Sequence, residues 1–237
     1  MKFGVKTYAD KNIFEVLKDK ADFFEIMAIP GEDYSFLKNS HIPIVIHAQH
    51  GVFGINFAEN NDKNEKSIKF AISLADLLHS KKIIVHVGEL KETGTSIENV
   101  IKFLKKFNDK RILLENLPEF EGRNILTTTP KEMKYFLKET GLGFCFDINH
   151  AIHASTKLGK PPFEFVNEFI SLKPTHFHIC GHKFSGKDHI SIADSEYNIK
   201  EMLRYFPKDA EVTLEVSRNA KEIEKDLEIV RKFAKEL

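Results

Sequence analysis

The sequence predicts a single-domain α/β fold, a (β/α)8 TIM barrel over residues 1–237. Three observations carry that prediction. Short apolar runs rich in β-branched and aromatic residues alternate with amphipathic segments of helical spacing, which implies a parallel sheet with helices outside it. Runs and segments each number eight, which favours a closed barrel over an open doubly wound sheet. The length of 237 residues is close to the ~250 of a single barrel, and no stretch has linker composition or a fixed repeat.

The strands are expected at Phe3 to Thr7, Phe23 to Ala28, Pro43 to Ala48, Lys82 to Val87, Arg111 to Asn116, Phe144 to Ile148, Thr175 to Cys180 and Glu211 to Val216. The sixth, in Gly143-Phe144-Cys145-Phe146-Asp147-Ile148, reads as buried on both faces until a carboxylate interrupts it. Helical spacing marks Lys11 to Ala21, with Ile13, Val16 and Leu17 on one face, and Lys63 to Ser80, with Ile68, Ala71, Ile72, Ala75 and Leu78 on one stripe. A short helix is expected at Tyr34 to Asn39, after Pro30-Gly31. Others are expected at Thr95 to Phe107, Pro161 to Leu172, Asn198 to Phe206 and Ala220 to Leu237. Thr129 as N-cap, Pro130 at the first helical position and Glu132 in the first turn mark a helix that Gly141 stops. Long loops follow at His50 to Asn61 and Gly181 to Glu196.

Composition narrows the function. Lys+Arg and Asp+Glu number 35 each, for a formal net charge of +0, so nothing draws the whole chain to nucleic acid. Cys145 and Cys180, the 2 cysteines, lie inside apolar runs and read as core thiols of a reducing compartment. No apolar run approaches the ~20 residues of a membrane helix and Met1 is followed almost at once by a strand, so a cytoplasmic protein without a membrane partner is expected.

The chemistry-bearing residues collect at strand ends. His47, His86, Glu115, Asp147, His178 and Glu215 close the third to eighth strands, and the loops add His150 and His189. A lone histidine is more often a satisfied core or surface residue, and Asp147 alone reads as a helix cap. Structural histidines, however, have no reason to gather at one end of a barrel, and in barrel enzymes the C-terminal strand ends hold the active site. Imidazole and carboxylate without thiolate suit Zn2+ or Mn2+ (Fe2+ and Co2+ as well). Eight candidates exceed the coordination of one ion, so one to three divalent ions are expected, or some of the eight serve as outer partners or acid/base groups. His50 and His182 lie in site-facing loops and are candidate substrate contacts. His41, His79, His153 and His176 read as outside the ligand set.

These motifs resemble those of the endonuclease IV superfamily and the xylose-isomerase-like (AP endonuclease 2-like) TIM barrels, which include sugar-phosphate isomerases and epimerases. The matching pieces are IVIHAQHG followed by INFA, VHVG, LLEN, FDINHA, HFHICGH, DHISIADSE and LEV. In the endonuclease IV pattern nine residues hold three metals, and the eight residues named above match it. The ninth, an Asp two residues before the last His, is Lys187 here, with Asp188 adjacent to His189; both are candidate substrate contacts. The aromatic after the first His has no evident counterpart in Ala48-Gln49-His50, and the glycines after the last His are replaced by Ala193-Asp194-Ser195. The isomerase-like branch needs only Glu115, Asp147, His178 and Glu215 around one metal. Its implied chemistry is metal-assisted proton transfer on a sugar or sugar phosphate, with Glu115 and Glu215 as acid and base. The alternative is phosphodiester cleavage on nucleic acid at a two- or three-metal site. The neutral charge, the displaced acid and the compact loops favour the isomerase or epimerase; the full histidine set favours the hydrolase. A barrel that binds a ligand without catalysis is a third possibility.

Overall fold

The computed structural model describes residues 1–237 except 184, 186–188, 217 and 218. Eight parallel strands, all neighbours paired in chain order, close into a barrel: β1 (Lys2–Thr7), β2 (Phe23–Met27), β3 (Ile44–His47), β4 (Ile83–Val85), β5 (Ile112–Glu115), β6 (Gly143–Asp147), β7 (His176–Ile179) and β8 (Glu211–Leu214). β8 closes on β1, with Lys2 opposite Glu211 and Val5 opposite Leu214. The (β/α)8 expectation holds.

Side chains alternate across each strand, and the outward set is aromatic and aliphatic. Phe144 and Phe146 of β6 lie 6.0 and 5.6 Å from Phe169 on a covering helix, and Phe177 of β7 lies 4.6 Å from Phe206. Fully burying a Phe contributes roughly 1.5–3 kcal/mol, so this layer between strands and helices is the main core.

The described residues form eight α-helices: α1 (Lys11–Leu17), α2 (Asp62–Leu77), α3 (Ile97–Phe107), α4 (Pro130–Thr140), α5 (Ile148–Lys157), α6 (Pro162–Ile170), α7 (Ile199–Leu203) and α8 (Ala220–Lys235). They are not distributed one per strand. The helix expected at Tyr34 to Asn39 is a single 3-10 turn, Ser35–Leu37. In compensation, β6 is followed by two helices, and the sequence reading had no place for α5. It begins where β6 ends because Asp147 caps it, Oδ1 accepting the His150 amide at 2.7 Å. In α1 the expected face is also corrected. Ile13, Phe14 and Leu17 are buried while Val16 is exposed, because Phe14 packs 4.9 Å from Phe24 and sets the helix's rotation. α4 carries the expected capping box: Thr129 Oγ1 accepts the Glu132 amide, and Glu132 Oε2 accepts the Thr129 amide.

The inward face decides where the site sits. Its rim layer holds Lys6, His47, Glu115, Asp147 and His178 from the strands, with His86 and Glu215 one residue beyond β4 and β8. Two residues down each strand the filling is mixed. Val45, Ile84, Leu113 and Cys145 form a small apolar cluster with Phe23, whereas Glu25, His176 and Thr213, all fully buried, occupy the other side.

Candidate metal centre

Strand ends stitched together by asparagines bring the rim residues to one point. Asn116, just past β5, donates to the Asp147 carbonyl at 2.8 Å and accepts the Asp147 amide at 2.8 Å. Asn149 repeats the clamp between β6 and β7, donating to the Cys180 carbonyl at 3.0 Å and accepting its amide at 2.9 Å. Neither asparagine stood out in the sequence, although each sits beside a candidate ligand, in LLEN and FDIN.

Several groups of possible metal-ligand atoms within 4.8 Å of one another result; Glu25 falls in two of them, with His176 and His178 and with His47 and Glu215, and Cys145 joins Glu115 and His178 in another. The two built wholly from expected ligands are Glu115, Asp147, His178 and Glu215, and His47, His86 and Glu115. Glu115 belongs to both. His86 Nε2 lies 3.0 Å and His47 Nε2 3.3 Å from Glu115 Oε2. His178 Nδ1 lies 2.6 Å from Glu215 Oε1 and 3.5 Å from Glu115 Oε1. Every one of these residues is buried except His86, which is partly so.

The histidine tautomers are set from outside. His47 Nδ1 donates to the Ala48 carbonyl at 2.8 Å, His150 Nδ1 to the Asn116 carbonyl at 2.9 Å and His189 Nδ1 to the Glu215 carbonyl at 3.2 Å. At His47 and His189 this leaves Nε2 to face the group, the arrangement a metal-ligating imidazole takes, and at His150 Nε2 could do so only after the ring loses a proton. The His150 and His189 rings stand 6.3 Å apart on the open side of the group. His150 lies in the first turn of α5 rather than on a loop, and its ring is buried.

Whether a cation suits this pocket can be judged from its unmatched atoms. Glu115 Oε1, Asp147 Oδ2 and His178 Nδ1 are buried without a hydrogen bond, the short His178–Glu215 approach being off the hydrogen-bonding direction. Buried polar atoms left so are costly. Three of them in a group of four ligand atoms, two from carboxylates, fit a divalent cation.

The electrostatics favour the ionised form at two of the three carboxyls. Burial opposes ionisation of Glu115 and Glu215, but His86 and His178 around the first, and Lys6 and His178 around the second, hold both carboxyls well below the usual range. Burial raises Asp147. Burial also opposes charging of His150, but the carboxylates of Asp147 and Glu115 push it up to about 9. Burial lowers His86 to about 4, against the pull of Glu115. Burial, with His86 and His47 beside it, lowers His50 to about 2.

Above the group opens a cleft of about 530 Å³, reached by His50, His86, His150 and His189 and walled by Leu117 and Phe120. Gly88 makes part of its wall possible. Its φ of +104° is left-handed, and a Cβ there would meet Asn56 Oδ1 at 2.1 Å. That oxygen accepts the amides of Ala58 and Glu89 and ties the two flanking loops together. A short antiparallel ribbon, Glu89–Leu90 with Asn124–Ile125, adds the outer lip. His182 does not line the cleft among the described residues. Its ring is buried 5.1 Å from Tyr197, because the chain turns back at Gly181, which pairs with Ile190. The expected contacts Lys187 and Asp188 lie outside the described residues.

Residues 34–233 match the family model of the xylose isomerase-like TIM barrel. The chain belongs to that family. No curated protein matches the sequence. Among solved structures, a D-tagatose 3-epimerase-like protein superposes with a TM-score of 0.79 at 23% identity, over 99% of this chain and 97% of that one. Endonuclease IV from Thermus thermophilus gives 0.75 at 18% identity over 100% of both chains. The TTHB071 protein of the same organism, from a crystal soaked with ZnCl2, gives 0.73 at 18% over 100% and 99%. At these identities the likeness is one of fold. No helix of the described residues is long and apolar enough to cross a membrane.

Sequence reading missed two rim partners, Lys6 and Glu25. Lys6 Nζ lies 2.7 Å from Glu215 Oε1 and 3.9 Å from Glu25 Oε1. Glu25 Oε2 accepts from His178 Nε2 at 2.9 Å, from Thr213 Oγ1 at 2.8 Å and from His176 Nε2 at 3.2 Å. Glu25 is a single charge inside an apolar strand, the same signal that drew attention to Asp147, and Lys6 is the second of two lysines in β1.

Proposed function

We propose that this protein is a divalent-metal-dependent enzyme of the isomerase or epimerase type, acting on a small sugar or sugar phosphate. The observation that carries the reading is the four-ligand group of Glu115, Asp147, His178 and Glu215, which adjoins, through the Glu115 neighbours His86 and His150, a cleft of about 530 Å³, a size suited to a small molecule. These four would hold Zn2+ or Mn2+, and the bound ion would polarise a carbonyl oxygen and offset the charge of the deprotonated substrate. Glu115 and Glu215 stand at the two ends of the arc of four strands β5 to β8, where one takes a proton from carbon and the other returns it. Leu117 and Phe120 give the cleft an apolar side, and His50, held neutral by burial, can hydrogen-bond a substrate hydroxyl. The D-tagatose 3-epimerase-like neighbour and the net charge of +0 support this choice.

A second reading, phosphodiester hydrolysis as named for the endonuclease IV neighbour, is favoured by one observation. His47, His86 and the shared Glu115 form a further ligand group, and His150 and His189 face each other beside it. The two readings separate in one assay. Protein loaded with Zn2+ or Mn2+ is incubated with a panel of ketoses and their phosphates, and in parallel with a duplex containing an abasic site. Sugar interconversion lost in Glu115→Gln and only modestly reduced in His189→Ala supports the first reading. Strand incision lost in His189→Ala, without sugar turnover, overturns it. Metal content near one ion per chain accords with the first reading, two or three with the second.

A further inference from the structure

We propose that Glu25, buried in the barrel interior beneath the candidate metal centre, is the positioning residue that makes His178 a ligand through Nδ1 and sets how tightly the four-ligand group holds its ion. The inference rests on the metal-dependent reading above and concerns a residue outside the four-ligand group, although the Glu25 carboxylate also lies within ligand distance of His176 and His178 and of His47 and Glu215.

The histidines of the rim differ in how they are anchored. His47, His150 and His189 are each held through Nδ1 by a nearby backbone carbonyl, and so present Nε2. His178 is turned the other way. Its Nε2 donates to Glu25 Oε2 at 2.9 Å, and its Nδ1 is the buried atom left without a hydrogen bond, facing Glu115 and Glu215. A carboxylate anchor does what a carbonyl cannot: it carries a full negative charge against the imidazole N–H and makes the opposite nitrogen a better electron donor.

Glu25 is itself held in one place. β2 puts it opposite Lys6 of β1 and Val45 of β3. The Thr213 hydroxyl donates to its Oε2 at 2.8 Å, and His176 Nε2 approaches the same oxygen at 3.2 Å. His176 has little freedom, since its Nδ1 lies 3.4 Å from Lys82 Nζ, a donor only. Lys6 reaches both Glu25 and Glu215, so Glu25 bears directly on one ligand and through one lysine on a second. A fully buried carboxylate whose second oxygen has no hydrogen bond is a poor device for stability alone, because apolar residues of similar volume fill such space at lower cost.

The test is Zn2+ affinity, read by competition with a chromogenic chelator on the full chain after metal removal, for wild type, Glu25→Gln and Glu25→Leu. Glu25→Leu is expected to weaken the tightest site by roughly ten- to a hundredfold. Glu25→Gln, which keeps the shape and an acceptor for the His178 N–H, is expected to fall between the two. The visible spectrum of the Co2+-loaded protein should shift in both variants, which a merely structural role would not produce. Glu25→Gln keeps the proposal testable if the leucine variant fails to fold. A wild-type Zn2+ site that both variants retain within twofold, whatever happens to thermal stability, overturns this inference alone. A wild-type chain without a Zn2+ site overturns the functional reading and takes this one with it.

Discussion

Beneath His47, His86, Glu115 and Asp147 the barrel is filled by Val45, Ile84, Leu113 and Cys145; beneath His178 and Glu215 it is filled by Glu25, His176 and Thr213, with Lys6 alongside. On the first side the candidate ligands are held by packing, by backbone groups such as the Ala48 carbonyl, and by the uncharged side-chain clamp of Asn116. On the second they are held by charged side chains that come from strands distant in sequence. The apolar half is the inexpensive solution, since it buries surface and leaves no polar atom to satisfy. The polar half keeps a carboxylate out of water, and its partners are arranged around the ligands rather than around the fold. Under the proposed reading, the contrast separates what makes the barrel stand from what tunes its rim.

This division is challenged most strongly from the apolar side. Ile84→Ala is expected to cost about 2–5 kcal/mol of stability through the cavity it leaves, measured by denaturant unfolding, while Zn2+ affinity stays within a fewfold of wild type. A large loss of affinity would mean that packing, too, tunes the site. From the polar side, Thr213→Val keeps the volume but removes the hydroxyl between Glu25 and His176. It is expected to cost about 1–3 kcal/mol and to weaken Zn2+ binding measurably, in proportion to Glu25→Gln.

A smaller effect comes with pH in the metal-free protein. The folded state holds His150 at about 9, above the ~6.5 of the unfolded chain. The stability it contributes is thus complete below about pH 6.5 and is lost as pH rises through about 9. The melting temperature of the metal-free chain should therefore fall by a few degrees across that window, and His150→Gln should flatten the fall; an unchanged slope in the variant would refute the assignment. The smallest effect is expected far from either half. Arg123 pairs with Glu89 on the outer lip at 2.6 Å, half exposed, and Arg123→Ala should change stability by less than ~1 kcal/mol.

How far the sequence could be read follows the same division. Strand order and closure were legible because apolar runs and amphipathic segments alternate without interruption. That these rim residues share one end of the barrel was legible because each ends a run, where a His, Asp or Glu interrupts the pattern. Glu25 and Lys6 were not, because inside a strand a single charge does not reveal whether it points into the barrel or out to solvent; that depends on register, here Lys6 opposite Glu25. α5 was missed because its first turn, Ile148-Asn149-His150, carries site residues in place of an amphipathic pattern, and only the Asp147 cap announced it. His182 was misjudged for a related reason. The Gly181–Ile190 pairing, which turns its ring toward Tyr197, joins residues on either side of a polar loop.

The pair between Lys6 and Glu215 joins residues 209 apart in the chain. Glu215 follows β8, the last strand of the barrel to leave the ribosome, and β8 reaches its place only by pairing with β7 and β1. The four-ligand group is thus incomplete until every other strand of the barrel has been made. Under the proposed reading, a chain still lacking β8 cannot offer its ion all four ligands. Contacts this distant in sequence form slowly, so completing the site draws on the slowest pairings of the barrel.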